Sequence, residues 1–427
     1  MKKEMYDEIK QKAEYCLNCK NPLCKKACPL GNNIPEFINK IKEEKYKEAY
    51  EVLSETTIME PICGLICPHE KQCQGSCIRG IKGKSVEIGE LEAFIGKLAI
   101  ENNWYKCVGV DVPGDPKKIN KKVAVIGGGP AGLTCSAYLA KNGYDVTIYE
   151  KYDKLGGLLV HGIPEFRLNR ELVRNWINQI LSLGINVQYN KELGKNLEIK
   201  KLKKEYDAIF ISIGANKSLK LGIDGESLDG VYGANELLEK NNHPNYSGKV
   251  VAIIGGGNVA LDSARTVKRL GAKDVYIIYR RAEEQMPAER NEIEEAKKEG
   301  IKFLFQNNIV KVIGEKKVEE VELIKTELVQ KQGETRKVPI NIENSNYKLK
   351  VDYILRAIGA SPEKDNILGD VQLDDKNYIK VDEKYNTSNK MIFAGGDIVG
   401  TKSTVAYAAK SGREAAKRIC EFLKNDN

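Results

Sequence analysis

The chain has 427 residues, enough for about three domains that each bury a core of their own. Hydrophobic residues make up 41% and charged residues 30%, and the longest apolar runs are strand-length pieces such as VVAII, which excludes a spanning helix of roughly 20 apolar residues. The net charge of +8 is spread over mixed-sign stretches such as KNLEIKKLKKEYD, whereas a nucleic-acid protein concentrates its basic residues on one element.

The opening MKKEMYDEIK lacks the apolar centre of a secretory signal, so the cytoplasm is the expected compartment, with neither membrane nor nucleic acid as a partner. A basic chain can also serve as a dock for an acidic electron carrier. Eleven cysteines are present, and eight of them lie between Cys16 and Cys77, leaving Cys107, Cys135 and Cys420 elsewhere. A reducing cytosol disfavours disulfides, so metal or cluster ligation is the leading expectation for the eight.

The first thiol group, YCLNCKNPLCKKACPLG, carries Cys16, Cys19, Cys24 and Cys28. The second, EPICGLICPHEKQCQGSC, carries Cys63, Cys67, Cys73 and Cys77. Thiolates at such intervals hold zinc or iron equally well, although proline follows Cys28 and Cys67 as it follows the last cysteine of the bacterial ferredoxin run. Between the groups Ile34, Phe37, Ile38, Ile41, Ala49, Tyr50 and Leu53 keep mostly helical spacing. A small helical domain could therefore fold its ends together around both.

Residues 121–153 then read as strand, glycine loop, helix and second strand. Val123 to Ile126 lead into Gly127, Gly129 and Gly132 in G-x-G-x-x-G spacing, and the second strand ends at Glu150. The glycines allow a sharp turn, backbone approach to a pyrophosphate and close packing of helix on strand, while the acid can accept from both ribose hydroxyls. The plan recurs over residues 248–284 with Gly255, Gly257 and Ala260, but the closing strand ends on Arg280 and Arg281. A carboxylate repels a 2′-phosphate and guanidinium groups bind one, so the first site is expected to take FAD and the second NADPH.

EYDAIFISIGANKS and KVDYILRAIGASPE look like the closing strands of the two nucleotide domains, ending at Gly214 and Gly359. Farther on, Met391 to Ala394 run into Gly395, Gly396 and Asp397, and a helix is expected from near Ser403, with Asp397 and Thr404 as candidate cofactor-binding residues. An acid at that turn can accept from a ribityl or ribose hydroxyl while a helix N-terminus faces an electron-rich ring edge. A disulfide reductase needs a redox-active Cys-x-x-Cys facing the flavin, and none lies beyond Cys77. An FAD that accepts a hydride without such a partner needs a one-electron exit, which iron-sulfur clusters supply and zinc does not.

The ordered motifs CLNCKNPLCKKACPLGNNIPEF, CGLICPHEKQCQGSC, IGELEAF, VIGGGPAGL, GGLLVHGIPEFRL, IGGGNVALDSART, YRRAEEQMPAER and AGGDIVGT make the chain resemble the small-subunit family of NADPH-dependent glutamate synthases. The same module recurs in dihydropyrimidine dehydrogenases and in the large subunit of ferredoxin:NADP transhydrogenases. The resemblance implies an α/β fold: two Rossmann-like dinucleotide-binding domains, the NADP domain inserted in the FAD domain, preceded by an α-helical iron-sulfur domain. The corresponding boundaries are 1–118 for the iron-sulfur domain, 119–229 with 356–427 for the FAD domain, and 230–355 for the NADP domain.

It further implies two 4Fe-4S clusters, one held by Cys16, Cys19 and Cys24 with Glu92, the other by Cys28, Cys67, Cys73 and Cys77. Glu92 by itself reads as a solvated helix residue, and Cys63 is left over as a small buried hydrophobe. The glycines of LGGLLVHGIPEFRL, Gly157 among them, match a loop beside the flavin. His161 in that loop reads as a packing residue, because hydride transfer between cofactors needs placement and no acid-base dyad. No catalytic side chain is therefore expected, and the implied partner is an electron-accepting large subunit or a ferredoxin-type protein in a hetero-oligomer.

Overall fold

The computed structural model describes residues 2–106, 119–330, 337–363, 369–400 and 402–425; Cys107 lies outside them. The first hundred residues are helical: α1 (Lys2–Glu14), α2 (Leu23–Ala27), α3 (Ile34–Lys42), α4 (Tyr46–Ser54), α5 (Glu60–Ile66) and α6 (Ile88–Glu101). Pro35 and Pro61 stand in the first turns of α3 and α5, where a missing N–H costs nothing. The apolar positions with helical spacing, from Ile34 through Leu53, are all buried. Among the described residues no helix is long and apolar enough to cross a membrane.

Eight further helices follow: α7 (Pro130–Lys141), α8 (Leu158–His161), α9 (Arg170–Leu181), α10 (Ile199–Glu205), α11 (Ala234–Lys240), α12 (Asn258–Arg269), α13 (Arg290–Lys298) and α14 (Val405–Asn425). Strands β1 (Lys122–Ile126), β2 (Asp145–Tyr149), β3 (Asn186–Gln188) and β4 (Ala208–Ile211) precede the short β5 (Lys217–Ser218) and β6 (Val231–Gly233). Next come β7 (Val250–Ile254), β8 (Asp274–Tyr279), β9 (Lys302–Phe305), β10 (Asn307–Ile313), β11 (Glu320–Val329), β12 (Val338–Asn341) and β13 (Tyr347–Lys350). The last are β14 (Tyr353–Arg356), β15 (Ala360–Ser361) and β16 (Ile392–Ala394).

The chain divides into two compact units, one of Met1–Val160, Glu165–Ala215 and Pro362–Asn427, the other of His161–Pro164 and Asn216–Ser361. The first holds a wholly parallel sheet in the order β3-β2-β1-β4-β16. A parallel sheet is covered on both faces, and the continuous apolar runs of β1, β4 and β16 meet that need. The helical region packs on this sheet's helices within the same unit: the indole of Trp176 in α9 donates to the Ile58 carbonyl at 2.7 Å. Arg413 in α14 donates to the Leu30 carbonyl at 3.0 Å and also to that of Thr56.

The second unit repeats the sheet in the order β9-β8-β7-β14-β6, again wholly parallel. Its helical face buries Val251, Ile253, Leu261, Val267, Ile277 and Ile293. The opposite face is covered by an antiparallel sheet of β10 to β13, whose Ile309, Val321 and Leu323 pack on Ile254, Ile278 and Ile354. Sequence reading gave no hint of that sheet inside the 230–355 segment. The antiparallel pair β5 and β15 sets Ser218 opposite Ala360, so the chain enters and leaves this unit side by side.

Candidate functional site

The first glycine loop joins β1 to α7. A Cβ on Gly132 would lie 1.9 Å from the Gly127 carbonyl, so only glycine lets the helix sit this close to the strand end. α7 begins at Pro130 behind Gly129 with no side chain capping its N-terminus, which leaves its first N–H groups to whatever approaches the loop. The Gly157 Cα lies beside this turn, 3.8 Å from where a Gly129 Cβ would be, and the Gly156 N–H donates to the Gly128 carbonyl at 2.8 Å.

Glu150, at the end of β2, is buried. Its Oε2 accepts from the Gly128 N–H at 2.8 Å and its Oε1 from the Tyr152 N–H at 3.0 Å, so the carboxylate also builds the loop it faces. Asp397 follows β16, and burial pushes its carboxyl up to about 6. α14 starts at Val405, two residues past Ser403, and Thr404 caps it by accepting from the Tyr407 N–H at 3.4 Å. Thr404 therefore has a structural task of its own. The uncapped helix, the adjoining glycine backbones and the two acids fit a dinucleotide's phosphates and hydroxyls.

The second loop, between β7 and α12, has Gly255 at the strand end, Gly257 as the uncapped helix start and Ala260 fully buried in the first turn. Arg280 and Arg281 follow β8. Their backbone carbonyls are held, by Thr326 Oγ1 at 2.8 Å and the Gln306 N–H at 3.0 Å, and Arg280 is solvent-exposed. The Arg281 Nε is buried with no hydrogen-bond partner among the described residues. An orphaned guanidinium donor fits an anionic group such as a 2′-phosphate.

The thiols separate into two sets, and not along the division that the family resemblance implied. Cys16, Cys19, Cys24 and Cys77 line one cavity of about 240 Å³, with Ile34, Ile38 and Val86 in its wall. Burial, and then the neighbouring thiols, push Cys24 up to about 11. Cys28, Cys67 and Cys73 form the other set together with Glu92: burial and then the Glu92 charge raise both Cys28 and Cys73, and Cys67 adds to each. Cys77 thus replaces Glu92 in the first set and Glu92 replaces Cys77 in the second.

The reason lies in the helices. A Cβ on Gly64 of α5 would fall 2.3 Å from the Ala93 nitrogen of α6, a closeness that seats Glu92 in the interior. Glu92 is buried, contrary to its reading as a solvated helix residue, and accepts from Asn32 Nδ2 at 3.1 Å. Burial, followed by the nearby Glu60 charge, pushes it up to about 8. The turn after Cys77 instead runs to the first cysteine loop, where the Arg79 guanidinium lies 4.2 Å above the Tyr15 ring and its Nε donates to the Tyr15 carbonyl at 3.0 Å. Cys63 is buried, and its carbonyl accepts from the Cys67 N–H at 3.1 Å.

Among the described residues no three His, Cys, Asp or Glu side chains converge tightly enough for one metal ion, as a zinc staple would require. Thiols arranged round a cavity fit a polynuclear cage. Sequence reading missed Asn32, which orients Glu92, and Arg413, which ties the loop after Cys28 to α14. Neither belongs to a spacing pattern; both act across more than 50 residues of chain.

Residues 121–412 match the family of pyridine nucleotide-disulphide oxidoreductases, and residues 1–104 match dihydropyrimidine dehydrogenase domain II, 4Fe-4S cluster. The glutamate synthase [NADPH] small chain of Escherichia coli is 35% identical over 98% of this chain and 92% of its own length. That of Azospirillum brasilense is 31% identical over 98% and 90%. In fold, the FprA protein of Mycobacterium tuberculosis in complex with NADPH superposes with a TM-score of 0.64 at 19% identity, over 71% of this chain and 85% of its own. The thioredoxin reductase of T. acidophilum gives a TM-score of 0.54 at 21% identity, over 72% of this chain and all of its own. With a 4Fe-4S domain joined to two parallel nucleotide-type sheets, and relatives aligned from end to end, this oxidoreductase belongs to the glutamate synthase [NADPH] small-chain family.

Proposed function

We propose that this chain draws electrons from NADPH and hands them singly to an electron-accepting large subunit that forms L-glutamate. When bound, FAD supplies the exchange between a two-electron hydride and single electrons, and two 4Fe-4S clusters carry the latter. Gly127, Gly129, Gly132, Glu150, Gly157 and Asp397 would hold the flavin dinucleotide. Gly255, Gly257, Ala260, Arg280 and Arg281 would hold NADPH, the arginines selecting its 2′-phosphate. Cys16, Cys19, Cys24 and Cys77 would ligate one cluster, and Cys28, Cys67, Cys73 and Glu92 the other. The protein's task is placement, and no side chain needs to act as nucleophile or general base.

The observation that carries this reading is the link between the thiol loops and the flavin-type sheet. Arg413 lies in α14, the helix that starts beyond the Asp397 turn, and its guanidinium grips the Leu30 carbonyl two residues after Cys28. The two regions are thereby held in one unit.

Anaerobic purification tests it: the protein is expected to carry FAD with the iron and sulfide of two four-iron clusters, and to reduce a dye with NADPH. Zinc without iron would end the reading. The ligand sets are tested separately by spectroscopy. Cys77→Ser and Cys16→Ser should remove the same paramagnetic signal, and Cys73→Ser together with Glu92→Ala the other; a signal shared by Cys77→Ser and Cys73→Ser would restore the division implied by the resemblance.

A further inference from the structure

The two thiol sets differ in what surrounds them. Cys67 and Cys73 are each only 5% exposed. The cavity of Cys16, Cys19, Cys24 and Cys77 is instead rimmed by apolar side chains that face solvent: Leu17 is 53% exposed, Leu23 51% and Ile78 49%, and all three also line the cavity wall. Ile81, three residues on, is 74% exposed. Large apolar groups left in water next to one another mark a contact surface far more often than single exposed ones do.

The charge on the same two loops is of one sign. Residues 15–35 contain Lys20, Lys25 and Lys26, residues 71–86 contain Lys71, Arg79, Lys82 and Lys84, and neither stretch has an Asp or Glu. In the whole chain acids nearly balance bases, 60 against 68, so this bias is local. Lys20, Lys25, Lys26, Lys82 and Lys84 are all exposed. An apolar centre with a cationic rim complements an acidic partner: the charges steer the encounter and the apolar contact holds it.

We propose that the loops 15–26 and 78–84 form the docking surface on which an acidic iron-sulfur protein or subunit takes electrons from this chain. The inference rests on the cluster reading of the Cys16, Cys19, Cys24 and Cys77 cavity and adds where the partner sits and what charge it bears. Leu17, Leu23 and Ile78 form both the cavity wall and the outer surface, so a partner seated there is separated from the thiols by a single layer of side chains. Each encounter moves one electron and no proton: this chain's iron-sulfur centre is oxidised as the partner's is reduced. Two encounters balance one NADPH, which leaves as NADP+ with release of one proton.

The test uses the anaerobically purified holoprotein and, as probe, an acidic bacterial ferredoxin with two four-iron clusters. Binding is read by biolayer interferometry, and electron exchange by stopped-flow oxidation of the reduced ferredoxin in the presence of NADP+. Wild-type affinity should fall about tenfold between about 20 mM and about 300 mM sodium chloride. The triple variant Lys25→Glu, Lys82→Glu, Lys84→Glu should bind about tenfold more weakly at low salt. Ile81→Asp should weaken binding by a similar factor, with iron content and NADPH-dependent dye reduction unchanged in both variants.

Wild-type affinity in variants that keep their iron overturns the docking surface alone. So does binding of the wild type to vesicles containing anionic phosphatidylglycerol with none to ferredoxin, which would make the patch a membrane contact. A protein without iron or sulfide overturns the cluster reading and this inference with it, and the metal analysis tells the two failures apart.

Discussion

The two parallel sheets have the same central strand order and the same uncapped helix behind a glycine loop, yet their closing residues are used in opposite ways. In the first unit Glu150 is buried and accepts from two backbone N–H groups, so much of its charge is committed to shaping the loop. In the second unit Arg280 is exposed and the Arg281 Nε has no hydrogen-bond partner among the described residues. There the Gly256 carbonyl accepts from the Ala288 N–H at 3.2 Å, and the cationic groups are left for a ligand. A rigid acid-built cradle suits a flavin that stays bound; exposed cations suit a nicotinamide that must come and go.

The largest effect should come from removing the acid. Glu150→Ala leaves the Gly128 and Tyr152 N–H groups without their carboxylate, and two charge-assisted bonds of about 1.5 to 3 kcal/mol each are lost. Flavin retention is expected to fall more than about 100-fold, with a lower melting temperature, and Glu150→Gln should lie between the two. Flavin absorbance per chain after gel filtration measures it. A yellow, fully loaded Glu150→Ala protein would remove the contrast between the sheets.

The arginines sharpen the same contrast with a smaller and more selective change. Replacing both Arg280 and Arg281 by Ala should weaken NADPH by about 100-fold while NADH changes by less than about threefold if, as proposed, they pair with the 2′-phosphate alone. Titration of each nucleotide against protein fluorescence measures the ratio. Equal weakening would mean that the arginines support the loop, as Glu150 does.

How much of this was legible in the sequence follows from the range of the signals. The glycine loops announce themselves within 35 residues, since strand, turn, helix and closing charge are contiguous, and both sheets were expected where they occur. The antiparallel sheet of β10 to β13 was not. Its strands mix exposed lysines and glutamates with inward Ile309, Val321 and Leu323, so an alternating pattern is present, but nothing local says that it covers a parallel sheet in place of helices. The sequence reading put the cysteines in two cooperating groups, and the structure arranges the thiols in a different division. Whether Cys77 or Glu92 joins a set depends on the contact of α5 with α6 at Gly64 and on Arg79 reaching Tyr15, both of which join residues far apart in sequence.

The smallest predicted effect concerns the acid that follows the edge strand of the first sheet. Asp397 follows β16, which pairs with β4 at the edge of that sheet. Burial pushes Asp397 up to about 6 in the ligand-free protein. A raised carboxyl favours the folded apoprotein below its unfolded value, and that contribution is lost as pH climbs through about 6. A flavin hydroxyl needs the opposite form, the carboxylate, as its acceptor. FAD affinity should therefore drop about tenfold from pH 7 to pH 5, where roughly a tenth of Asp397 would be ionised, while the melting temperature of the apoprotein gains from the same protonation. Asp397→Asn should flatten both trends, and NADPH binding in the second unit should not follow them. Titrating the apoprotein with FAD at each pH measures the slope, and a slope that survives in Asp397→Asn would assign it to another group.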